Sequence, residues 1–64
     1  MNKAKVAAAF NRWMDEYTNN PEKFEHTSAA VLRHQREKDN GETPSYGSHC
    51  AAMLDHYMAE EEGA

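Results

Sequence analysis

Apolar and polar residues alternate along the first part of the chain with the period of an α-helix. Five large apolar residues lie at relative positions 0, 4, 7, 8 and 11 of a stretch that begins at Val6. At about 100° per residue these positions share one stripe of a helix, whereas Arg12 and Glu16 fall elsewhere on the circle. The stripe consists of Val6, Phe10, Trp13, Met14 and Tyr17. Because the residue before a proline is pushed out of the α-helical region, the segment before Pro21 ends this helix, which we expect over about residues 3–18.

A second helix is predicted to start directly after the first. Proline favours the first position of a helix, and the asparagine before Pro21 is a favoured N-cap. A thinner apolar stripe follows, and Gly41 is able to take the left-handed conformation that commonly ends a helix. These signals predict a helix over about residues 21–39. An alternative stays open, in which this helix is split near Ser28 and a threonine or serine caps the second piece.

A third helix repeats the apolar spacing of the first. Its apolar residues are Tyr46, Cys50, Met53, Leu54, Tyr57 and Met58. Thr43 or Ser45 is a suitable cap, so we expect the helix over about residues 44–60. The acidic segment 60–64 lies at the negative end of the helix dipole and is expected to fray. No run with the period of a β-strand occurs, so the sequence predicts one small all-α domain of three helices over residues 1–64.

The small size of the chain predicts that it associates with other chains. A domain of 64 residues buries only about 60% of the surface of its unfolded chain. Such a core gives no more than about 3–5 kcal/mol unless a further feature stabilises it. Cys50 is the only cysteine, so an intramolecular disulfide is excluded. We therefore expect a homo-oligomer.

Charge and hydropathy limit the environment and the kind of partner. The formal net charge is −4, and residues 41–64 carry five acidic side chains and no lysine or arginine. Nucleic-acid-binding proteins normally show a basic surface, so a DNA-binding regulator is only a third hypothesis. No apolar stretch has the length of a signal-peptide core or a membrane span, and a lone cysteine suits a reducing compartment. We expect a soluble, cytoplasmic protein.

Candidate catalytic and metal-binding residues form no recognisable motif. The four histidines are His26, His34, His49 and His56. None of them has the HExxH spacing of zinc proteases, and the paired cysteines of structural zinc sites are absent from the sequence. Cys50 lies within an apolar stripe, where a thiol behaves as a small hydrophobic group. We therefore expect no catalytic residue, no metal and no cofactor.

Two groups of side chains are candidates for binding a partner. The first contains the aromatic residues Trp13, Tyr17, Tyr46 and Tyr57. The second is a basic cluster late in the second helix, formed by Arg33, Arg36 and Lys38. Aromatic anchors dominate the energetics of interfaces, and exposed charges at the rim steer association. We expect a surface that combines the two groups, although the aromatic stripe as core and the basic cluster as a solvated face stay open as alternatives.

Three segments carry a resemblance to known proteins. They are Phe10-Asn-Arg-Trp13-Met14-Asp-Glu-Tyr17, Asn20-Pro21-Glu-Lys-Phe24, and Tyr46-Gly47 leading into Cys-Ala-Ala-Met-Leu. Together they resemble small uncharacterised proteins encoded by bacteriophages and prophages. The resemblance implies a non-catalytic accessory factor that binds and inhibits a host protein or an antiviral defence component in the host cytoplasm. The alternative hypothesis is an oligomeric protein that sequesters an anionic, nucleotide-like small ligand with aromatic rings and the basic cluster.

Overall fold

Three helices make up the fold of the chain. The computed structural model describes residues 2–63, so Met1 and Ala64, at the ends of the predicted domain, lie outside the described residues. The helices are α1, Lys3–Asn19; α2, Pro21–Lys38; and α3, Tyr46–Gly63. The described part contains no β-strand, which confirms the prediction of a small all-α domain. Helix α2 is continuous, so the alternative of a split near Ser28 is wrong.

A single residue, Asn20, separates α1 from α2. It is the C-cap of α1 and the N-cap of α2. Its backbone N–H donates to the carbonyl of Glu16 at 2.9 Å, and its own carbonyl accepts from the N–H of Phe24 at 3.0 Å. The side chain of Asn20 makes no capping hydrogen bond. Pro21 at the start of α2 leaves one fewer N–H that requires a partner, so the backbone alone forms this junction.

The turn after α2 ends this helix in the predicted way. Asn40 has φ of 57° and Gly41 has φ of 88°, so both adopt left-handed conformations. The N–H of Gly41 donates to the carbonyl of Arg36 at 2.8 Å. This bond is the long bond of a Schellman motif, which satisfies a carbonyl at the end of a helix. The chain direction therefore changes directly after Lys38, one residue earlier than the sequence predicted.

Helix α3 begins two residues later than expected. Ser45 is its cap, because the N–H of Ser48 donates to Ser45 Oγ at 3.2 Å and the N–H of His49 donates to the Ser45 carbonyl at 2.9 Å. The alternative cap, Thr43, makes no such bond within the described residues. The first residue of the helix is consequently Tyr46.

The acidic end of α3 is ordered as helix and paired with α1. Lys5 Nζ lies 3.1 Å from Glu62 Oε1, and Arg12 Nε lies 3.3 Å from Glu61 Oε1. Arg12 Nη1 also lies 3.7 Å from Glu60 Oε2. Two cations of α1 thus offset the repulsion of these carboxylates from the negative end of the helix dipole. The helix therefore runs to Gly63, beyond the predicted end at about residue 60, while fraying of this segment stays a prediction.

The hydrophobic core is small and lies mainly between α1 and α3. Three apolar residues are buried, namely Ala9, Met53 and Tyr57. Around them pack the partly buried side chains of Trp13, Phe24, Val31, Leu54 and Met58. The rings of Trp13 and Tyr57 are stacked with centroids 5.9 Å apart and planes 16° apart. Because α2 contributes no fully buried residue, it covers the core from one side without entering it.

Candidate functional site

Helix α1 turns a different face to the core than its apolar stripe predicts. Its buried residues are Ala9 and Glu16, with Trp13 partly buried between them. At 100° per residue this line is rotated by roughly 70–80° from the centre of the predicted stripe. The centre of that stripe is exposed instead, with 51% of Phe10 and 59% of Tyr17 accessible to solvent. The fold therefore leaves large apolar groups of α1 uncovered.

The rotation of α1 follows from a buried hydrogen-bond network around Glu16. This side chain is only 7% exposed. Its Oε1 accepts from Thr27 Oγ1 at 3.0 Å and from Tyr57 Oη at 3.3 Å, while Lys23 Nζ lies 3.8 Å from Oε2. The carboxylate thus joins all three helices. A buried carboxylate requires such partners, so the network fixes which side of α1 faces inward.

Sequence reasoning placed Glu16 on the polar face of α1, and this placement is wrong. The spacing of Ala9, Trp13 and Glu16, at relative positions 0, 4 and 7, marks the true inner line. The prediction considered only large apolar residues, so it missed a line that includes an alanine and a carboxylate.

The environment of Tyr57 raises the pKa of its hydroxyl to about 12, first through burial and next through the neighbouring Glu16 carboxylate. The phenol is therefore a hydrogen-bond donor at neutral pH.

An apolar groove runs between α1 and α3 on the uncovered side of α1. It has a volume of 820 Å³. Its apolar walls come from Val6, Ala7, Phe10, Trp13, Ala51 and Leu54. Lys3 is the one charged residue among those that line it, and the half-buried thiol of Cys50 also faces it. We call this feature the apolar groove; its chemistry suits an apolar ligand or side chains of another protein.

A second groove, between α2 and α3, is lined by more polar side chains than the first. It has a volume of 620 Å³. Its apolar wall consists of Ala30, Val31 and Ala52, and its polar side chains are His26, Thr27, His34, Gln35, Lys38, Asp55 and His56. We call it the polar groove. No residue lines both grooves, so they are separate sites on the two flanks of α3.

The four aromatic residues predicted to bind a partner do not form one surface. Trp13 lines the apolar groove, whereas Tyr17 lies beyond it, with its ring edge-to-face against Phe24 at 5.0 Å. Tyr46 is 86% exposed at the start of α3. Tyr57 is fully buried, so its assignment to the partner-binding surface is corrected: it is a core residue. Its hydroxyl points to Glu16 and its ring to Trp13, which leaves nothing for a partner to contact.

The basic cluster likewise does not meet the aromatic residues. Arg33, Arg36 and Lys38 are all exposed. None of the three lines the apolar groove, and only Lys38 lines the polar groove. The expected combination of aromatic anchors with a basic rim is therefore absent from both grooves.

Three of the four histidines, His26, His34 and His56, line the polar groove, whereas His49 and Cys50 do not. His49 Nε2 lies 3.3 Å from the carbonyl of Ser28. His56 Nε2 lies 3.1 Å from Glu60 Oε1, near enough for an ion pair but not aligned for a hydrogen bond. Within residues 2–63 no three side chains of histidine, cysteine, aspartate or glutamate are arranged to hold a metal ion.

Comparison with protein-family models gives no match. Comparisons with curated proteins and with solved structures give none either. The resemblance to phage-encoded accessory proteins therefore stays a prediction. Among the described residues, none of the helices combines the length and the apolar character that crossing a membrane requires.

Proposed function

We propose that the protein is a non-catalytic interaction protein whose apolar groove receives an amphipathic helix of another protein. The observation that carries this proposal is the uncovered apolar face of α1. Phe10 is 51% exposed although it is a large aromatic residue, and it lies beside Trp13 with ring centroids 6.3 Å apart. Exposed apolar surface of this kind, bounded by polar residues, commonly marks a site of protein association.

The shape and charge of the groove favour a helix as the occupant. Two helices form its walls, and the small side chains of Ala7 and Ala51 leave space between larger apolar neighbours. A helix that docks in such a groove inserts apolar residues spaced by three and four positions. Lys3 is the one charge among the lining residues, so an acidic residue near the end of the incoming helix is complementary to it. Burying a large apolar side chain contributes about 1.5–3 kcal/mol, so a few such contacts suffice for binding.

The class of the partner follows from the sequence resemblance alone. A phage-type accessory factor would bind a host protein or a component of an antiviral defence. It would inhibit that target by binding one of the target's helices and making it unavailable for the target's own function. The groove supports a binding role of that kind because it offers affinity without any catalytic group.

Photo-cross-linking tests the proposal. A photoreactive phenylalanine is introduced at Phe10, inside the groove, and at Tyr46, which is equally aromatic, more exposed and outside the groove. In an extract of host cells, we expect position 10 to cross-link to the apolar face of a helix in one protein. Mass spectrometry of the cross-linked peptides identifies that protein and the helix. Excess unlabelled wild-type protein should abolish this product, whereas excess Phe10→Glu protein should not.

Two outcomes would contradict the proposal. Equal cross-linking from positions 10 and 46 would show that the apolar groove has no special role. Cross-links in the extract that join only two copies of this chain would assign the groove to self-association.

A further inference from the structure

We propose that the polar groove between α2 and α3 is a second binding site, which takes a small organic phosphate with a planar apolar body. Its volume of 620 Å³ lies within the range of about 300–1,000 Å³ typical of small-ligand sites. Such sites combine apolar walls with a few polar groups that fix the orientation of the ligand. The polar groove has both, and it shares no lining residue with the apolar groove.

The anion-binding end of this site is formed by His34 and Lys38. These residues are four positions apart on α2, so their side chains are neighbours on one face of the helix. No carboxylate among residues 2–63 lies within ion-pair distance of either side chain. A lysine ammonium and an imidazole both donate hydrogen bonds to phosphate oxygens, and charge-assisted bonds of this type are the strong ones.

Two features oppose an anion at this end. Lys38 is the last residue of α2, so the phosphate would lie near the negative end of the helix dipole. Asp55 is the one carboxylate among the lining residues. Lys38 offsets the dipole, because its positive charge lies at this same end of the helix. Asp55 lies on α3 and is able to accept a hydrogen bond from a hydroxyl or amino group of the ligand.

The planar body of the ligand lies against the apolar wall. Ala30 and Val31 of α2 and Ala52 of α3 line the groove. These side chains offer no hydrogen bond and suit a flat, weakly hydrated ring. His26, two helical turns before His34, adds an imidazole next to this wall. The chemistry therefore selects a phosphate ester with an attached ring, as in a nucleoside monophosphate, over a free phosphate ion.

Titration with AMP and with inorganic phosphate, followed by NMR of the full chain, tests this site. We expect AMP to cause saturable shifts at His26, His34 and Ala52 and inorganic phosphate to bind more weakly than AMP. Equal affinity for the two anions would contradict the role of the apolar wall. Shifts that do not saturate at millimolar AMP, or that lie outside the polar groove, would overturn the proposal.

Charge variants give the sharper comparison. Lys38→Gln should weaken AMP binding about threefold to fivefold, and Asp55→Asn should strengthen it because the one carboxylate in the groove is removed. Arg33→Gln is the matched control: it also removes one cation from the exposed surface of α2, but from outside both grooves. Equal losses in the Lys38 and Arg33 variants would reduce the effect to general electrostatics and overturn the assignment. Phe10→Glu should leave AMP binding unchanged, so this site is tested independently of the apolar groove.

Discussion

The hydroxyl group of Tyr57 connects the core to the polar network. Its ring is stacked on Trp13 and its oxygen donates to Glu16. The same carboxylate oxygen accepts from Thr27, and Lys23 lies near the other oxygen. Removal of the carboxylate would leave the buried Tyr57 hydroxyl and the half-buried Thr27 hydroxyl without this acceptor. The Glu16 side chain therefore determines how the three helices pack together.

We expect Tyr57→Phe to destabilise the fold by about 1.5–3 kcal/mol, because a hydrogen bond to a charged group is lost while the ring stays in place. Urea denaturation measures the free energy of unfolding. Tyr17→Phe is the matched control, since the Tyr17 hydroxyl makes no hydrogen bond within the described residues and its ring is exposed. Similar losses in both variants would contradict the structural role of the Tyr57 hydroxyl.

The raised pKa of Tyr57 predicts a loss of stability in alkali. Its pKa is about 12 in the folded chain, against 10.0 ordinarily. Between these values the folded state binds more protons than the unfolded state, so stability falls as pH rises. The contribution, about 2–3 kcal/mol, is fully present below pH 10 and is lost as pH rises through 12. The free energy of unfolding of the wild type and of Tyr57→Phe is measured by denaturation at several pH values in this interval. We expect the stability advantage of the wild type over the variant to fall as pH rises.

At the scale of the elements, α1 and α3 differ in how well their patterns predict their packing. Part of the stripe of α3 faces the core as expected, with Met53 and Tyr57 buried but Tyr46 86% exposed. The stripe of α1 does not, because the buried carboxylate and a small residue, Ala9, lie on its flank. Periodicity counts large apolar residues and therefore finds a face that is apolar, but it does not distinguish a face turned inward from one left uncovered.

Opposite substitutions on the two faces of α1 test this orientation. Ala9→Leu should destabilise the fold by about 1–3 kcal/mol, because Ala9 is fully buried and a larger side chain overpacks the core. Phe10→Glu should change the stability of the dissociated single chain by less than about 0.5 kcal/mol, as is usual for an exposed position. Thermal unfolding followed by circular dichroism compares the two. A larger effect at Phe10 than at Ala9 would mean that α1 turns its predicted stripe inward after all.

At the scale of the whole molecule, much of the fold but little of the candidate sites could be predicted. Proline, glycine and serine punctuation located the helix ends within one or two residues, except at α3, where pairing of Glu60 to Glu62 with α1 extends the helix. The two grooves depend on how helices cross, which local patterns do not encode. The grouping of His34 and Lys38 with Asp55 is therefore visible only in three dimensions.

The thin core predicts that the isolated chain self-associates when no partner occupies the apolar groove. Only three apolar residues are buried among residues 2–63, so covering Phe10 and its neighbours is favourable. Sedimentation equilibrium of the purified protein at micromolar concentrations should give a mass above 7.3 kDa that rises with concentration. Phe10→Glu should return the mass of the single chain. A wild-type mass that stays at that of one chain at every concentration would contradict this prediction.

The outward face of α1 has an evolutionary consequence. Phe10 lies outside the core and lines the apolar groove, so under the proposed function substitutions there change recognition more than folding. Trp13 is the exception, since it packs on Tyr57 and also lines the apolar groove. If the proposed function holds, descendants of this sequence change targets at position 10 while position 13 stays constrained. That separation suits a lineage in which the target itself diverges to escape recognition.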